Sequence, residues 1–339
     1  MKKILVTGGA GFIGSHIVAD LSEKGYEPLV LDDFSNSSPK IIPALEKITS
    51  KKLQVFQIDI KDKDKLFNFF KENSVDAVIH LAAYKAVGES VEQPLKYYEN
   101  NITGLINLLS AMKEYKVKNF IFSSSATVYG DSKIIPIPET APVSSTNPYG
   151  RTKLISEEIL QDTFLSDKDW SIISLRYFNP LGAHKSADIG EQPSGIPNNL
   201  YPYIAQVALG KLPHLNVFGD DYDTHDGTCI RDYIHILDLA EGHTAALQKM
   251  TENYKGFNVF NLGTGIGYSV FDIVNAFTKA SGIKIPLKVT ARRPGDVTIY
   301  CANADKAKKE LNWQAKRSLE EMCKDAWAWY KKHPNGFND

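Results

Sequence analysis

Short apolar runs alternate with longer stretches of helical period through the first half of the chain. Ile4-Leu5-Val6, Pro28-Leu29-Val30-Leu31, Lys52 to Ile58, Ala77 to Leu81, Asn119 to Phe122 and Trp170 to Tyr177 read as strands. Most are apolar throughout rather than alternating, which fits strands covered on both faces. Between them, Ser15 to Lys24, Lys63 to Lys71, Leu95 to Lys116 and a segment opening at Pro148 read as helices. Asn147 is a good N-cap for the last, and Pro148 is tolerated in a first turn. This βαβ alternation predicts a doubly wound, Rossmann-like parallel sheet with ligands beyond the carboxyl ends of its strands. Asp59-Ile60, Leu81-Ala82-Ala83-Tyr84-Lys85 and Ser123-Ser124-Ser125 fall at such ends.

After Phe178-Asn179-Pro180 the pattern breaks. Leu181 to Asn199 shows little periodicity and is rich in Gly, Pro, Ser and Asn. Shorter elements follow at Tyr201 to Leu209, Leu215 to Phe218, Ile230 to Ile236, Leu237 to Lys249 and Val259 to Leu262, and Ser318 to Lys332 reads as a closing helix. We expect an α/β chain with a dinucleotide-binding domain over 1–180 and a smaller mixed α/β substrate domain over 181–339. Part of 230–265, near Tyr233 or Phe260, is a candidate to rejoin the main sheet.

The 339 residues suffice for a large core, and the net charge of −1 with no basic stripe argues against a nucleic-acid partner. Cys229, Cys301 and Cys323 are odd in number and far apart, which fits a reducing compartment, and no metal-ligand spacing is present. The first strand follows Met1 so closely that no signal peptide is expected, and no apolar run would span a bilayer. The expected location is the cytoplasm.

Gly8, Gly11 and Gly14 form a Gly-x-x-Gly-x-x-Gly loop between the first strand and helix. Glycines there allow a tight turn and close approach of a pyrophosphate, whose charge meets the helix N-terminus. Asp32 ends the next strand, about 20 residues on as the dinucleotide fingerprint requires. Its carboxylate can accept from ribose hydroxyls and repels a 2′-phosphate, so it favours NAD over NADP.

Tyr149 and Lys153 lie one helical turn apart on one face. An ammonium beside a phenol favours the phenolate and makes it a usable base, and Ser125 at a strand end can hold a substrate oxygen beside it. The set suits removal of an alcohol proton while a hydride leaves the same carbon.

Several segments together carry a resemblance. They are Thr7 to His16, Lys85-Ala86-Val87-Gly88-Glu89-Ser90-Val91, Phe122 to Gly130, Leu175 to Pro180, Gly195-Ile196-Pro197-Asn198-Asn199-Leu200, Arg231-Asp232-Tyr233-Ile234-His235 and Arg292-Arg293-Pro294-Gly295-Asp296. With Tyr149-x-x-x-Lys153, these resemble the extended short-chain dehydrogenase/reductase family over essentially the whole chain, and within it the UDP-glucose 4-epimerases. The resemblance implies tightly held NAD. It places Phe12, Ile13, Asp33, Asn36, Ser37, Asp59, Ile60, Leu81, Ala82, Ala83, Lys85, Asn100 and Phe178 around that cofactor, with the glycine loop and Asp32. It implies Tyr149 as base, Lys153 as the group that tunes it and Ser125 as the group that orients the sugar 4-hydroxyl, all three also touching cofactor. For a UDP-sugar it implies contacts from Lys85, Thr127, Asn179, Asn199 and Leu200, and from Asn216, Phe218 and Tyr233. Arg231 and Arg293 would meet the diphosphate, Asp296 a hydroxyl, and Tyr300 would wall the hexose pocket.

Two departures from the family pattern stand out: Pro294 replaces an expected Glu, and Cys301 replaces a larger aromatic. A sugar-nucleotide dehydratase would share the cofactor loop but needs acidic residues beside Ser125, where Ala126 and Thr127 stand. A decarboxylase of the same family would share that loop too. A non-catalytic NAD sensor would not need Ser125, Tyr149 and Lys153 together. Relatives pair as homodimers through a four-helix contact, for which Leu105, Leu108, Leu109, Leu154, Ile155 and Leu160 are candidates.

Overall fold

The computed structural model describes residues 2–338, apart from Ser194, Ile196, Asn198, Asn253, Pro294 and Gly295. The departure at Pro294, and Ile196 and Asn198 of the glycine-rich motif, therefore lie outside the described residues. Thirteen strands are present among them: β1 (Lys3–Thr7), β2 (Glu27–Asp32), β3 (Gln54–Gln57), β4 (Ala77–His80), β5 (Asn119–Ser125), β6 (Ser171–Tyr177), β7 (Asn179–Leu181), β8 (Leu215–Phe218), β9 (Ile230–His235), β10 (Gly256–Leu262), β11 (Gly267–Ser269), β12 (Leu287–Thr290) and β13 (Ile299–Tyr300).

Seven of these form one parallel sheet in the order β10-β6-β5-β4-β1-β2-β3. The chain order reverses between β1 and β4, and such a switch point opens a crevice at the carboxyl edge. Thr7 pairs with Leu31 on one side and His80 on the other, so the loops after β1, β2 and β4 leave the sheet side by side. Ser125 pairs with Tyr177 at the same edge. The run near Phe260 thus joins the main sheet beside β6. The run near Tyr233 does not: β9 pairs with β7, β11 and β13 in a separate small sheet. A third, two-stranded sheet pairs β8 with β12.

Apolar strands demand cover on both faces. On one face the helices Phe12–Glu23, Ile41–Thr49 and Ile236–Thr251 bury a core that continues without interruption under the second half of the chain to Trp313 and Trp329. On the other, the helices Lys63–Glu72, Gly104–Glu114 and Pro148–Ser166 close over Leu5, Phe120, Phe122 and Trp170. The side chain of Thr244 donates to Asp20, tying the helix Ile236–Thr251 to the first helix. No helix among the described residues is long and apolar enough to cross a membrane.

The long helix expected over Leu95 to Lys116 is a composite. Pro94–Tyr98 and Gly104–Glu114 flank a π-turn at Glu99–Thr103. One extra residue per turn rotates Asn100 and Asn101 inward, and both are buried. A solvated polar face at Asn100 is thereby excluded.

Candidate active site

The glycine loop is shaped by its neighbours. Gly8 has φ +70°, and a Cβ there would sit 2.8 Å from the amide nitrogen of Ala82. Glycine thus lets the Leu81-Ala82 segment pass against the loop. A Cβ on Gly14 would lie 2.1 Å from the Gly8 carbonyl oxygen, so this position seals loop to helix. At Gly11 the same construction meets protein only at Gly8 O, 3.2 Å away. The helix beginning at Phe12 has no side-chain cap and no acidic residue in its first turn. Its free N–H groups and the open side of Gly11 together fit a pyrophosphate.

Asp32 ends β2 with its carboxylate turned toward this loop. It accepts from the backbone N–H of Ala10 (2.9 Å) and Phe34 (3.0 Å) and from Ser37 Oγ (2.8 Å). Burial pushes this carboxyl above its ordinary range, against those three bonds. Asp33 accepts from Ser35, and Asn36 completes the same turn. Asp59 caps the turn at Lys61 N, while Ile60 is buried in the space left by Gly104. Ala83 and Lys85 follow in the loop after β4. These residues lie on the loops at the carboxyl edge of the sheet, a setting that suits a dinucleotide.

At the end of β5, Ser125 caps a short 3-10 turn. Its Oγ accepts from Thr127 N (3.2 Å) and Thr127 Oγ1 (2.9 Å). Ser125 also stands beside the Tyr149 phenol and favours its ionised form. Asn147 caps the next helix by accepting from Gly150 N at 2.9 Å, as its sequence predicts. Lys153 is buried; its Nζ donates to the Ser123 carbonyl at 2.7 Å and lies 6.0 Å from the Tyr149 ring centre. The lowered phenol expected from Lys153 is not what the protein alone produces. Burial pushes the Tyr149 phenol up, opposed by Ser125, and pulls Lys153 down to about 7. A further positive charge at the site would restore the phenolate.

The substrate-side residues come together, partly with one another. Arg293 Nε donates to Asp296 Oδ2 at 3.0 Å, and Arg231 Nη2 lies 3.5 Å from Asp296 Oδ1. Asp296, expected to meet a hydroxyl, here pairs with both arginines, leaving one positive charge uncompensated by it. Arg293 sits 4.7 Å over the Phe218 ring, and Asn216 precedes it on β8. Asn179 pairs with Tyr233, and Tyr300 with Arg231, in the small sheet. Asn199 and Leu200 open the helix Leu200–Ala208. Tyr300 is buried and lies 5.7 Å from Phe178, while Cys301 points the other way, toward Ile230 and Gly267.

Four residues that sequence reading did not single out also hold the site. Asn101 accepts from Tyr84 N and donates to Thr152 Oγ1. Glu191 takes Asn199 Nδ2 at 3.0 Å and Lys85 Nζ at 3.5 Å. Glu157 and Arg176 form a buried pair beneath Ser125. The step of four residues from Lys153 to Glu157 is the one available signal among these. His225, Asp226 and Asp272 also come within reach of one another, but Asp226 caps Thr228 and Asp272 caps Ser269.

Comparison with known proteins agrees with this geometry. The family model described as GDP-mannose 4,6 dehydratase matches residues 5–326. A UDP-glucose 4-epimerase of Bacillus subtilis (strain 168) is 55% identical over 334 residues, 98% of each chain. UDP-glucose 4-epimerase 2 of Arabidopsis thaliana is 54% identical over 340 residues, 99% of this chain and 97% of its own. The crystal structure of UDP-glucose 4-epimerase from Bifidobacterium longum, in complex with NAD+ and UDP, superposes with a TM-score of 0.95 at 48% identity. That match covers 99% of this chain and 100% of the other. With the whole length matched at this identity, the chain belongs to the UDP-glucose 4-epimerases of the extended short-chain dehydrogenase/reductase family.

Proposed function

We propose that this protein interconverts UDP-glucose and UDP-galactose by inverting carbon 4 through a transient 4-keto sugar. Bound NAD supplies the hydride acceptor and returns the hydride to the opposite face. The observation that carries the reading is the convergence of Ser125, Tyr149 and Lys153 at the switch-point edge, beside the glycine loop and Asp32.

In this reading the chain's own groups divide the work. Tyr149 Oη takes the proton of the 4-hydroxyl, and Ser125 holds that oxygen through the hydrogen bond it shares with Tyr149. Lys153, once charged, stabilises the phenolate. Arg231 and Arg293 leave Asp296 to pair with the diphosphate, where a guanidinium binds two oxygens at once. Asn216 and Phe218 take the base, with Lys85, Asn179, Asn199, Leu200 and Tyr233 along the nucleotide. Asp296 and Thr127 face hydroxyls. Firm nucleotide contacts and few hexose contacts let the keto sugar turn over while UDP stays anchored.

We read 1–180 as the cofactor part and 181–339 as the UDP-sugar part, with β10 lent back to the sheet. Of the six apolar residues expected at a helical dimer contact, Leu105, Leu108, Leu109 and Leu160 are instead buried against the sheet, and Leu154 and Ile155 are half-buried. The exposed Leu95 and Ile106 support a homodimer in their place, and the three free cysteines a cytoplasmic setting. The test is to incubate purified protein with UDP-galactose and no added NAD, and to follow UDP-glucose by NMR. Conversion is expected, and a folded, NAD-containing preparation that makes none contradicts the reading.

A further inference from the structure

We propose that Glu157 is a positioning residue for this chemistry, holding the charge on Lys153 and anchoring the strand end that carries Ser125. The inference rests on the reading of Tyr149 and Lys153 given above. It deepens that reading by naming the group that keeps the lysine charged.

Tyr149, Lys153 and Glu157 follow one another at four-residue steps, so they share one face of the helix Pro148–Ser166. Lys153 and Glu157 are 4% and 5% exposed. Every polar bond on the Glu157 carboxylate comes from the strands below. Oε1 accepts from Ser124 Oγ (2.6 Å), Ser174 Oγ (2.9 Å) and Arg176 Nε (3.0 Å), and Oε2 from Arg176 Nη2 (2.5 Å). Ser124 directly precedes Ser125. One carboxylate thus joins the helix to β5 and β6 immediately beneath the reacting groups.

A buried Arg–Glu pair is an expensive way to join elements, because the desolvation of two charges roughly cancels their attraction. Apolar packing would hold helix to sheet as well. What the pair adds is a field. The groups facing Lys153 can be taken element by element. On its own helix are Tyr149 and Glu157. From β5 come the Ser123 carbonyl and the Phe122 ring, 4.8 Å from Nζ. From β4 comes His80, bonded to Thr7 Oγ1 and kept neutral because burial and Lys153 together pull it down to about 3. From β6 come Tyr177, pushed up by burial and neutral, and Arg176, which is held against Glu157. Among the described residues Glu157 is the anion in this shell, and it opposes the burial that strips Lys153 of its proton. Its direct repulsion of the Tyr149 phenolate acts across two helical turns, roughly 12 Å, and is weaker.

A strut and a charge-holder respond differently to substitution. Gln at this position can still accept from Ser124 and Ser174 but carries no charge, whereas Asp keeps the charge on a shorter arm. The experiment is the pH dependence of kcat and kcat/KM of the NAD-loaded protein for wild type, Glu157→Asp, Glu157→Gln and Glu157→Gln with Arg176→Gln. The double variant leaves no unpaired guanidinium and guards against a single variant that fails to fold. Expected is an acidic limb moved upward by roughly 0.5–1 unit in the Gln variants, with KM for the UDP-sugar unchanged and Glu157→Asp close to wild type. An unmoved limb in folded Gln variants overturns the proposal, as does an Asp variant shifted as far as Gln. Failure of both Gln variants to fold leaves Glu157 with the anchoring role alone and overturns its role in charging Lys153. If Tyr149→Phe keeps the wild-type rate and limb, the underlying reading falls and takes this inference with it. If Tyr149→Phe abolishes turnover while Glu157→Gln leaves the limb in place, the present inference alone fails.

Discussion

The hydroxyl of Tyr300 donates to the carbonyl oxygen of Ala126 at 2.5 Å, so the side chain expected to wall the sugar pocket is fastened to the residue after Ser125. The ring cannot swing aside without breaking that bond, worth about 0.5–1.5 kcal/mol.

With Tyr300 as the proposed wall of the hexose pocket, a ring fixed there would set the substrate range. Forcing an N-acetyl group against a packed wall costs roughly 1–3 kcal/mol, or about one to two orders of magnitude in catalytic efficiency. Wild-type protein should therefore use UDP-glucose and UDP-galactose and be poor with UDP-N-acetylglucosamine. Tyr300→Ser should gain the acetylated substrate and lose some thermal stability, while Tyr300→Phe, which keeps the ring, should still discriminate. The ratio of kcat/KM for the two UDP-sugars decides it, and an unchanged ratio in Tyr300→Ser removes Tyr300 as the gate.

Tyr149→Phe should lose about 10²–10⁴-fold in turnover and keep its NAD, since it deletes only the proton site. Cofactor content by absorbance and rate by NMR check both halves. Lys153→Ala should move the acidic limb of the pH–rate profile upward, because burial pushes the phenol up and, in the NAD-loaded protein, the proposed cation beside it is removed. A limb that stays in place would show that Lys153 does not act on Tyr149.

Asp32→Asn can keep the bonds from Phe34 and Ser37 on its one oxygen while giving up that from Ala10 and discarding the charge. Relative affinity for NADP over NAD should rise about tenfold, the worth of roughly 1–2 kcal/mol of like-charge repulsion near a protein surface. Binding to refolded, cofactor-stripped protein measures it, and a constant ratio counts against the assignment.

Acid should destabilise the fold through its buried histidines. Burial pulls His16 and His80 down to about 3 and His243 to about 4. A histidine whose folded value lies below its ordinary one gives stability that is fully present above about pH 6.5. That stability is lost as pH falls toward the folded value, because the unfolded chain binds the proton first. Asp32, Glu139 and Asp232 are pushed upward by burial and oppose the trend at the acid end. The melting temperature should therefore fall between about pH 6.5 and 4. His243→Gln, placed to keep the contact with Tyr177, should flatten the fall by up to one proton's worth. An identical slope in that variant would refute the assignment of His243.

The strands, the glycine loop and the Tyr149 helix were legible because each is a local signal: an apolar run, a spacing, a cap. The helices Ile41–Thr49, Val87–Glu92 and Val270–Ser281 and the strands β12 and β13 were not, being short or half-exposed. The runs near Tyr233 and Phe260 look alike in sequence. Which of them enters the main sheet is decided by the open edge of β6, a property of the fold and not of either run. Asp296 illustrates the same limit at the site. Its residue type fits a hydroxyl, yet its placement between Arg231 and Arg293 makes it a counterion until a ligand displaces it. Glu157 and Arg176 meet across nineteen residues of chain, and nothing in either segment alone announces the pair.

The central claim is that the hydrogen on carbon 4 leaves as a hydride and returns to the same carbon inside one closed site. Converting UDP-galactose deuterated at carbon 4 in ordinary water measures this directly. The deuterium should appear at carbon 4 of UDP-glucose with no loss to solvent and without added NAD. Washout of the label into water would mean removal as a proton, and would contradict the roles assigned to Tyr149, Ser125 and the cofactor cradle.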